Sequence, residues 1–143
     1  MNVTDPIIKD IIESIKSFNI KKLCNMYPHN KFHWKITGSS TISKVYLSKS
    51  LFFQEVVMKL QSYLLPKPSI DIKKIHITDD IIILQCITMM RTKDNKNYNN
   101  EYCWIIKIYQ GHITSIISYL DTLLIENIFN KIKLVNLDRL KLK

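Results

Sequence analysis

The side chain whose type and setting point to chemistry is Asp121. It ends the stretch NEYCWIIKIYQGHITSIISYLD (100–121), in which the other charges are Glu101 and Lys107. Gln110-Gly111 divides that stretch into two apolar-rich runs and supplies the backbone freedom of a two-residue hairpin turn, which predicts paired antiparallel strands. Counting outward from the turn sets Tyr109 opposite His112, Trp104 opposite Ile117, Tyr102 opposite Tyr119 and Asn100 opposite Asp121. One face then carries Tyr102, Trp104, Ile106 and Ile108 with Ile113, Ser115, Ile117 and Tyr119, and Asp121 closes it beside the amide of Asn100. The other carries Glu101, Cys103, Lys107, Thr114 and Ser118. A carboxylate walled by Tyr102, Trp104, Ile117 and Tyr119 loses hydration. That favours its neutral form, raises its pKa toward neutrality and equips it to move a proton to or from an enolisable ketone.

Other groupings carry less. His29 and His33, with Cys24 upstream, have a metal-like spacing, but Pro28 and the strand after it prevent the helical geometry that would align two histidines, so no metal site is predicted. Cys103 has no base placed to activate it and reads as a packing residue. Cys24, Cys86 and Cys103 form an odd set without a CxxC, so disulfides are not expected, and no cofactor is predicted.

The elements that must position Asp121 follow from periodicity. Asp5-Pro6 starts a helix whose stripe is Ile7, Ile8, Ile11, Ile12, Ile15 and Phe18. Asn19 caps a short second helix through Met26 and Tyr27, ended by Pro28. Phe32 to Thr37 alternates as a strand, with His33, Lys35 and Thr37 on one face and Phe32, Trp34 and Ile36 on the other. Gly38 opens an irregular loop. Ser48 or Ser50 caps a third helix with the stripe Phe52, Phe53, Val56, Val57, Leu60, Tyr63 and Leu64, stopped before Pro66. Ile70 to Thr78 and Ile81 to Arg91 form a hairpin around Asp79-Asp80; a polar loop follows, then the opening hairpin, then a helix capped by Thr122 with Leu124, Ile125, Ile128, Phe129 and Ile132 facing inward. The order α-α-β-α-β-β-β-β-α predicts an α+β domain in which helices cover one face of a curved antiparallel sheet. No further helix remains for the other face, so Cys103, Ile105, Ile116 and Leu120 there are a candidate homodimer surface.

At 143 residues and 46% hydrophobic content the chain suits a single domain, with its core at about 5–130 and a basic Leu/Lys tail at 131–143. The net charge of +9 would suggest nucleic acid, yet alanine is absent, the chain is rich in Ile, Lys and Asn, and Arg91 and Arg139 are the only arginines. That pattern fits a coding bias better than phosphate recognition, so specific nucleic-acid binding is not expected. With neither an apolar run of spanning length nor a signal-like N-terminus, no membrane partner and a cytoplasmic location are expected.

Two segments carry a family resemblance. WKITGSSTISKVYLSKSLFF resembles the strand, glycine, irregular loop and helix of SnoaL-like proteins, and YCWIIKIYQGHITSIISYLDT resembles their final hairpin, ending in Tyr-Leu-Asp. These proteins belong to the nuclear transport factor 2-like (cystatin-like) superfamily, with ketosteroid isomerases and limonene-epoxide hydrolases, and share a cone of curved sheet and helices around one pocket. The resemblance implies a general acid/base at Asp121, as in SnoaL-like polyketide cyclases. It departs from the isomerases, whose tyrosine, base and acid would fall at Ile11, Lys35 and near Trp104, and from the epoxide hydrolases, whose Arg-x-Asp pair would fall near Cys86 and Thr88. Lys35 stands where many SnoaL-like sequences place a histidine; an ammonium beside Asp121 would lower its pKa instead of raising it.

The implied pocket is lined by Tyr27, His33, Trp34, Tyr46, Tyr63, Met90, Asn100, Tyr102, Trp104, Ile117 and Tyr119, with Asp121 at its inner end and Lys35 as its partner. Three functions are compatible with it: binding of a small apolar ligand, cofactor-independent proton transfer of the cyclase or isomerase type at Asp121, and a non-catalytic dimeric structural or protein-interaction module. An interior filled by Trp34, Tyr46, Tyr63 and Met90 would favour the third.

Overall fold

The computed structural model describes residues 1–141. Helix α1 (Pro6–Lys16) begins at the Asp5-Pro6 signal and buries Ile8, Ile11 and Ile15. Helix α2 (Ile20–Cys24) is capped by Asn19, whose side chain accepts from the Lys22 N–H at 3.0 Å. It ends before Met26 and Tyr27, which the pattern had included. Short strands β1 (Trp34–Ile36) and β2 (Val45–Tyr46) follow. Ser48 caps the next helical run, accepting from the Leu51 N–H at 3.3 Å. That run is not one uniform helix: α3 (Lys49–Phe52) passes through a π-helical turn (Phe53–Val57) into α4 (Met58–Tyr63). The wider turn rotates the stripe enough for adjacent Val56 and Val57 both to be buried.

Strands β3 (Ser69–Ile77) and β4 (Ile81–Arg91) make the first long hairpin, and β6 (Glu101–Tyr109) and β7 (His112–Leu120) the second. The polar segment between them contributes a two-residue β5 (Asn97–Tyr98), and α5 (Thr122–Lys141) ends the described chain. The seven strands form one strongly curled sheet around the helices, in the order β2-β1-β7-β6-β4-β3 with β5 on β4. The sheet is not wholly antiparallel: β1 lies parallel to β7, with Trp34 beside Ile116. Strands as short as β2 and β5 leave no period-two trace to read. Gly38 opens the loop after β1 with φ +93, and a Cβ there would overlap the methyl of Thr122, so the loop needs glycine to lie against the start of α5.

The decisive feature is a bulge in the second hairpin. Gln110 and Gly111 have φ of 48° and 75°, as a primed two-residue turn requires, and Tyr109 pairs with His112 as counted. Ile108 then pairs with Ile113 but Lys107 with Ser115, leaving Thr114 as an extra residue in β7. Beyond it every β7 residue changes face: Trp104 opposes Ser118 and Tyr102 opposes Leu120. Ile116 and Ser118 are therefore buried, while Ile117 and Tyr119 turn outward beside Cys103 and Ile105. This corrects both faces of the expected hairpin. Ile117 and Tyr119 leave the predicted pocket, and Ile116 and Leu120 leave the predicted dimer surface.

The interior is aromatic and closed. Trp34 stacks on Phe52 with centroids 4.5 Å apart and meets Trp104 edge-on at 5.4 Å, while Tyr46 meets Phe52 at 5.2 Å. Trp34, Trp104 and Tyr46 are each 3% exposed and Met90 4%, so these side chains occupy the space that the expected pocket needed.

A polar clasp holds the β4–β5 turn to α5. The Thr92 hydroxyl donates to Asp94, and Lys131 Nζ lies 3.1 Å from the same carboxylate. The Thr92 hydrogen bond first, then Lys131, hold the Asp94 pKa down at about 2. Its unfolded value is about 3.9, so the stabilisation is complete above about pH 4 and is lost as pH falls through about 2. Urea titrations of the parent and Asp94→Asn are expected to differ most at about pH 6 and to converge near pH 2.

Candidate functional site

Asp121 does not enter the interior. Its side chain is exposed, and Oδ1 accepts from the Leu124 N–H at 3.1 Å, so Asp121, not Thr122, is the N-cap of α5. The Thr114 bulge is the cause: one inserted residue sends the outward-facing end of β7 past the place the count gave to a buried carboxylate. Asn100 does meet Asp121, through the backbone. Its Oδ1 accepts from the Asp121 N–H at 2.9 Å and its Nδ2 donates to the Asp121 carbonyl at 3.0 Å.

This amide belongs to a buried polar network at the end of the hairpin. Asn100 is fully buried; its Nδ2 also donates to the Tyr98 hydroxyl at 3.1 Å, which lies 2.9 Å from the Tyr102 hydroxyl. The Asn100 N–H donates to Thr88 Oγ1 at 2.7 Å, and that hydroxyl donates to the Tyr98 carbonyl at 2.8 Å. Burial pushes the Tyr98 hydroxyl up to about 12 and Tyr102 well above its ordinary value. Both phenols are neutral at physiological pH, so the network positions backbone and offers no base. Thr88 and Tyr98 were missed from sequence, although Tyr98-x-Asn100-x-Tyr102 at strand spacing was the available signal.

The remaining predicted residues fall into separate places. Trp34 and Tyr46 spend their polar atoms inside the fold, Trp34 Nε1 donating to Ser118 Oγ at 3.2 Å and the Tyr46 hydroxyl to the Ile42 carbonyl at 2.7 Å. The Tyr27 hydroxyl donates to the His33 carbonyl at 2.6 Å. Tyr63 is half-buried next to Asp94. Lys35 is exposed on the outer sheet face beside Ile117, and no ion pair joins it to Asp121 among the described residues. Among the described residues two buried side-chain polar atoms lack a partner, His33 Nδ1 and Trp104 Nε1. Cys24, Cys86 and Cys103 are free thiols, the first two pushed up to about 12 by burial. Among the described residues no group of three His, Cys, Asp or Glu could hold a metal ion, and no helix is long and apolar enough to cross a membrane.

The assignment of Asp121 to capping has a measurable consequence. Asp121→Ala is expected to cost about 1 kcal/mol of stability and Asp121→Asn much less, since asparagine caps as well. Asn100→Ala is expected to cost more, about 2–3 kcal/mol, because it strands the Asp121 N–H and carbonyl together with the Tyr98 hydroxyl. Chemical denaturation of the three variants gives the ranking.

No protein-family model and no curated protein matches the sequence. Solved structures do match. An NTF2-like protein from Burkholderia thailandensis superposes with a TM-score of 0.68 at 14% identity, covering 86% of this chain and 94% of that one. A protein with a cystatin-like fold from Xanthomonas campestris gives 0.66 at 12%, covering 90% and 98%. TerC, co-crystallised with polyporic acid, gives 0.67 at 12%, covering 88% and 99%. With the curled sheet wrapped on its helices and these superpositions over most of both chains, the protein has the NTF2-like, cystatin-like fold that the two resembling segments implied.

Proposed function

We propose that this chain is a non-catalytic NTF2-like module that works as a homodimer through the outer face of its sheet. The observation that carries the reading is the outward row of β6, where Glu101, Cys103, Ile105 and Lys107 follow one another at strand spacing. A two-fold axis across the strand places Glu101 of one copy against Lys107 of the other at both ends, with Cys103 and Ile105 between them. Ile83, Ile105 and Ile117 stand side by side across β4, β6 and β7 and extend the apolar centre. Neither Glu101 nor Lys107 has an ionic partner within the described residues. The closed aromatic interior and the exposed, capping Asp121 argue against proton transfer.

A second reading rests on Trp104 Nε1, a buried donor without an acceptor among the described residues. Two proteins of similar structure are known with small molecules: TerC co-crystallised with polyporic acid, and a protein with a ketosteroid isomerase-like fold from Catenulispora acidiphila in complex with trimethylamine. In this chain the oxygen of an apolar carbonyl compound would supply the acceptor that this donor lacks.

Sedimentation at micromolar concentration is expected to give a dimer, weakened about tenfold or more by Glu101→Lys or Lys107→Glu alone and restored by the two together. A monomeric parent would overturn the first reading. For the second, the Trp104 indole N–H resonance is expected to move on addition of a binding carbonyl compound while that of Trp34, already bonded to Ser118, stays nearly fixed.

A further inference from the structure

We propose that the cleft between the α2–β1 connection and the start of α3 binds a small amphipathic anion, a carboxylate or sulfonate carried on a planar apolar body. The cleft has a volume of about 690 Å³, within the range of sites that hold one drug-sized molecule. Its apolar walls are Tyr27, Phe32 and Phe53. The rings of Tyr27 and Phe32 pack 4.8 Å apart, and both residues are buried, at 4% and 7% exposure. Phe53 is half-buried at the first position of the π-helical turn, an irregularity often found at binding sites.

The charge around these walls is one-sided. Lys21, Lys31 and Lys49 line the cleft from three different segments, and among the described residues no carboxylate lines it. Every ion pair among the described residues is made by another lysine: Lys22, Lys44, Lys73 or Lys131. The arrangement is held in place locally. Lys31 follows a turn closed by its own N–H to the Pro28 carbonyl at 3.1 Å, with Asn30 at φ 60. Lys49 Nζ reaches across to Asn25 Oδ1 at 3.4 Å, tying the end of α2 to the start of α3.

The Tyr27 hydroxyl is spent on the His33 carbonyl, so Tyr27 and Phe32 close the cleft as a buried floor, half-buried Phe53 and exposed Leu47 supply its apolar contact, and the rim offers ammonium groups. A ligand that uses both has a flat apolar body and an anionic head. The concave, loop-bounded shape selects a free small molecule over an extended peptide or a membrane surface. The proposal does not rest on the dimer: none of the cleft residues lies on the outer row of β6.

The test titrates the intact chain with 1-anilinonaphthalene-8-sulfonate and with its neutral relative N-phenyl-1-naphthylamine, following fluorescence and thermal unfolding together. Saturable one-to-one binding of the sulfonate is expected, weakened about tenfold or more by the triple change Lys21→Gln, Lys31→Gln, Lys49→Gln, with little change for the neutral amine. Phe53→Asp is expected to weaken both probes. Lys9→Gln, Lys16→Gln and Lys93→Gln together remove equal charge elsewhere and are expected to leave both unchanged. Loss of sulfonate affinity in that control as large as in the rim variant would reduce the effect to net charge and overturn the proposal, as would the absence of saturable binding in a folded parent. Co-sedimentation with phosphatidylglycerol vesicles that depends on the same three lysines would assign the cleft to a lipid surface and overturn the free-ligand claim.

Discussion

The structure depends on a single added residue in a ladder. A β-strand presents alternate side chains to opposite faces, so inserting Thr114 after Ile113 reverses the sense of everything that follows in β7. Ile113 and Ile116 are both completely buried, which a strand without the insertion could not achieve, and Ser118 is brought in to receive the indole N–H of Trp34. The same reversal decides where the chain leaves the sheet. Asp121 arrives on the solvent side, where a carboxylate needs no partner beyond the free N–H groups of the helix it begins.

Asn100 makes that exit rigid. An amide side chain reproduces the donor and acceptor of a backbone, so its two bonds to Asp121 continue the β6–β7 pairing one step past the ladder. Because Asn100 is fully buried, its own polar atoms demand partners. Tyr98 supplies one and Thr88 satisfies its N–H, which draws the short β5 against β4. The polar residues nearest the expected reaction centre are thus consumed by architecture. Nothing in this network ionises near neutrality, and its chemistry is that of a clasp.

Much of the fold was legible because it is written in local rules. The Asp5-Pro6 start, the Asn19 cap, the choice of Ser48 or Ser50 that the structure resolves to Ser48, the Gln110-Gly111 turn and the Asp79-Asp80 hairpin each follow from the backbone preferences of the residues that make them. The candidate site was much less legible. Thr114 is an ordinary strand residue, and a bulge changes no composition or turn signal, so a register count starting from a correctly read turn goes wrong three residues later. The parallel contact of β1 with β7 joins residues far apart in sequence and has no local trace either. The Tyr27, Phe32 and Phe53 cleft arises where three segments meet, and its lysines looked like the rest of a lysine-rich chain.

The parallel contact between β1 and β7 also governs how the molecule is made. Trp34 finds its strand partner at Ile116, so during synthesis the first strand emerges from the ribosome long before the edge it will join exists. The β3–β4 and β6–β7 hairpins close over short loops and can form as they emerge, whereas β1 and its aromatic neighbours must wait. Assembly is therefore fastened late, by the N-terminal third docking onto the last strand of a sheet already built. Until then Trp34 lacks both the edge-on contact of Trp104 and the Ser118 hydroxyl that receives its indole N–H in the finished fold.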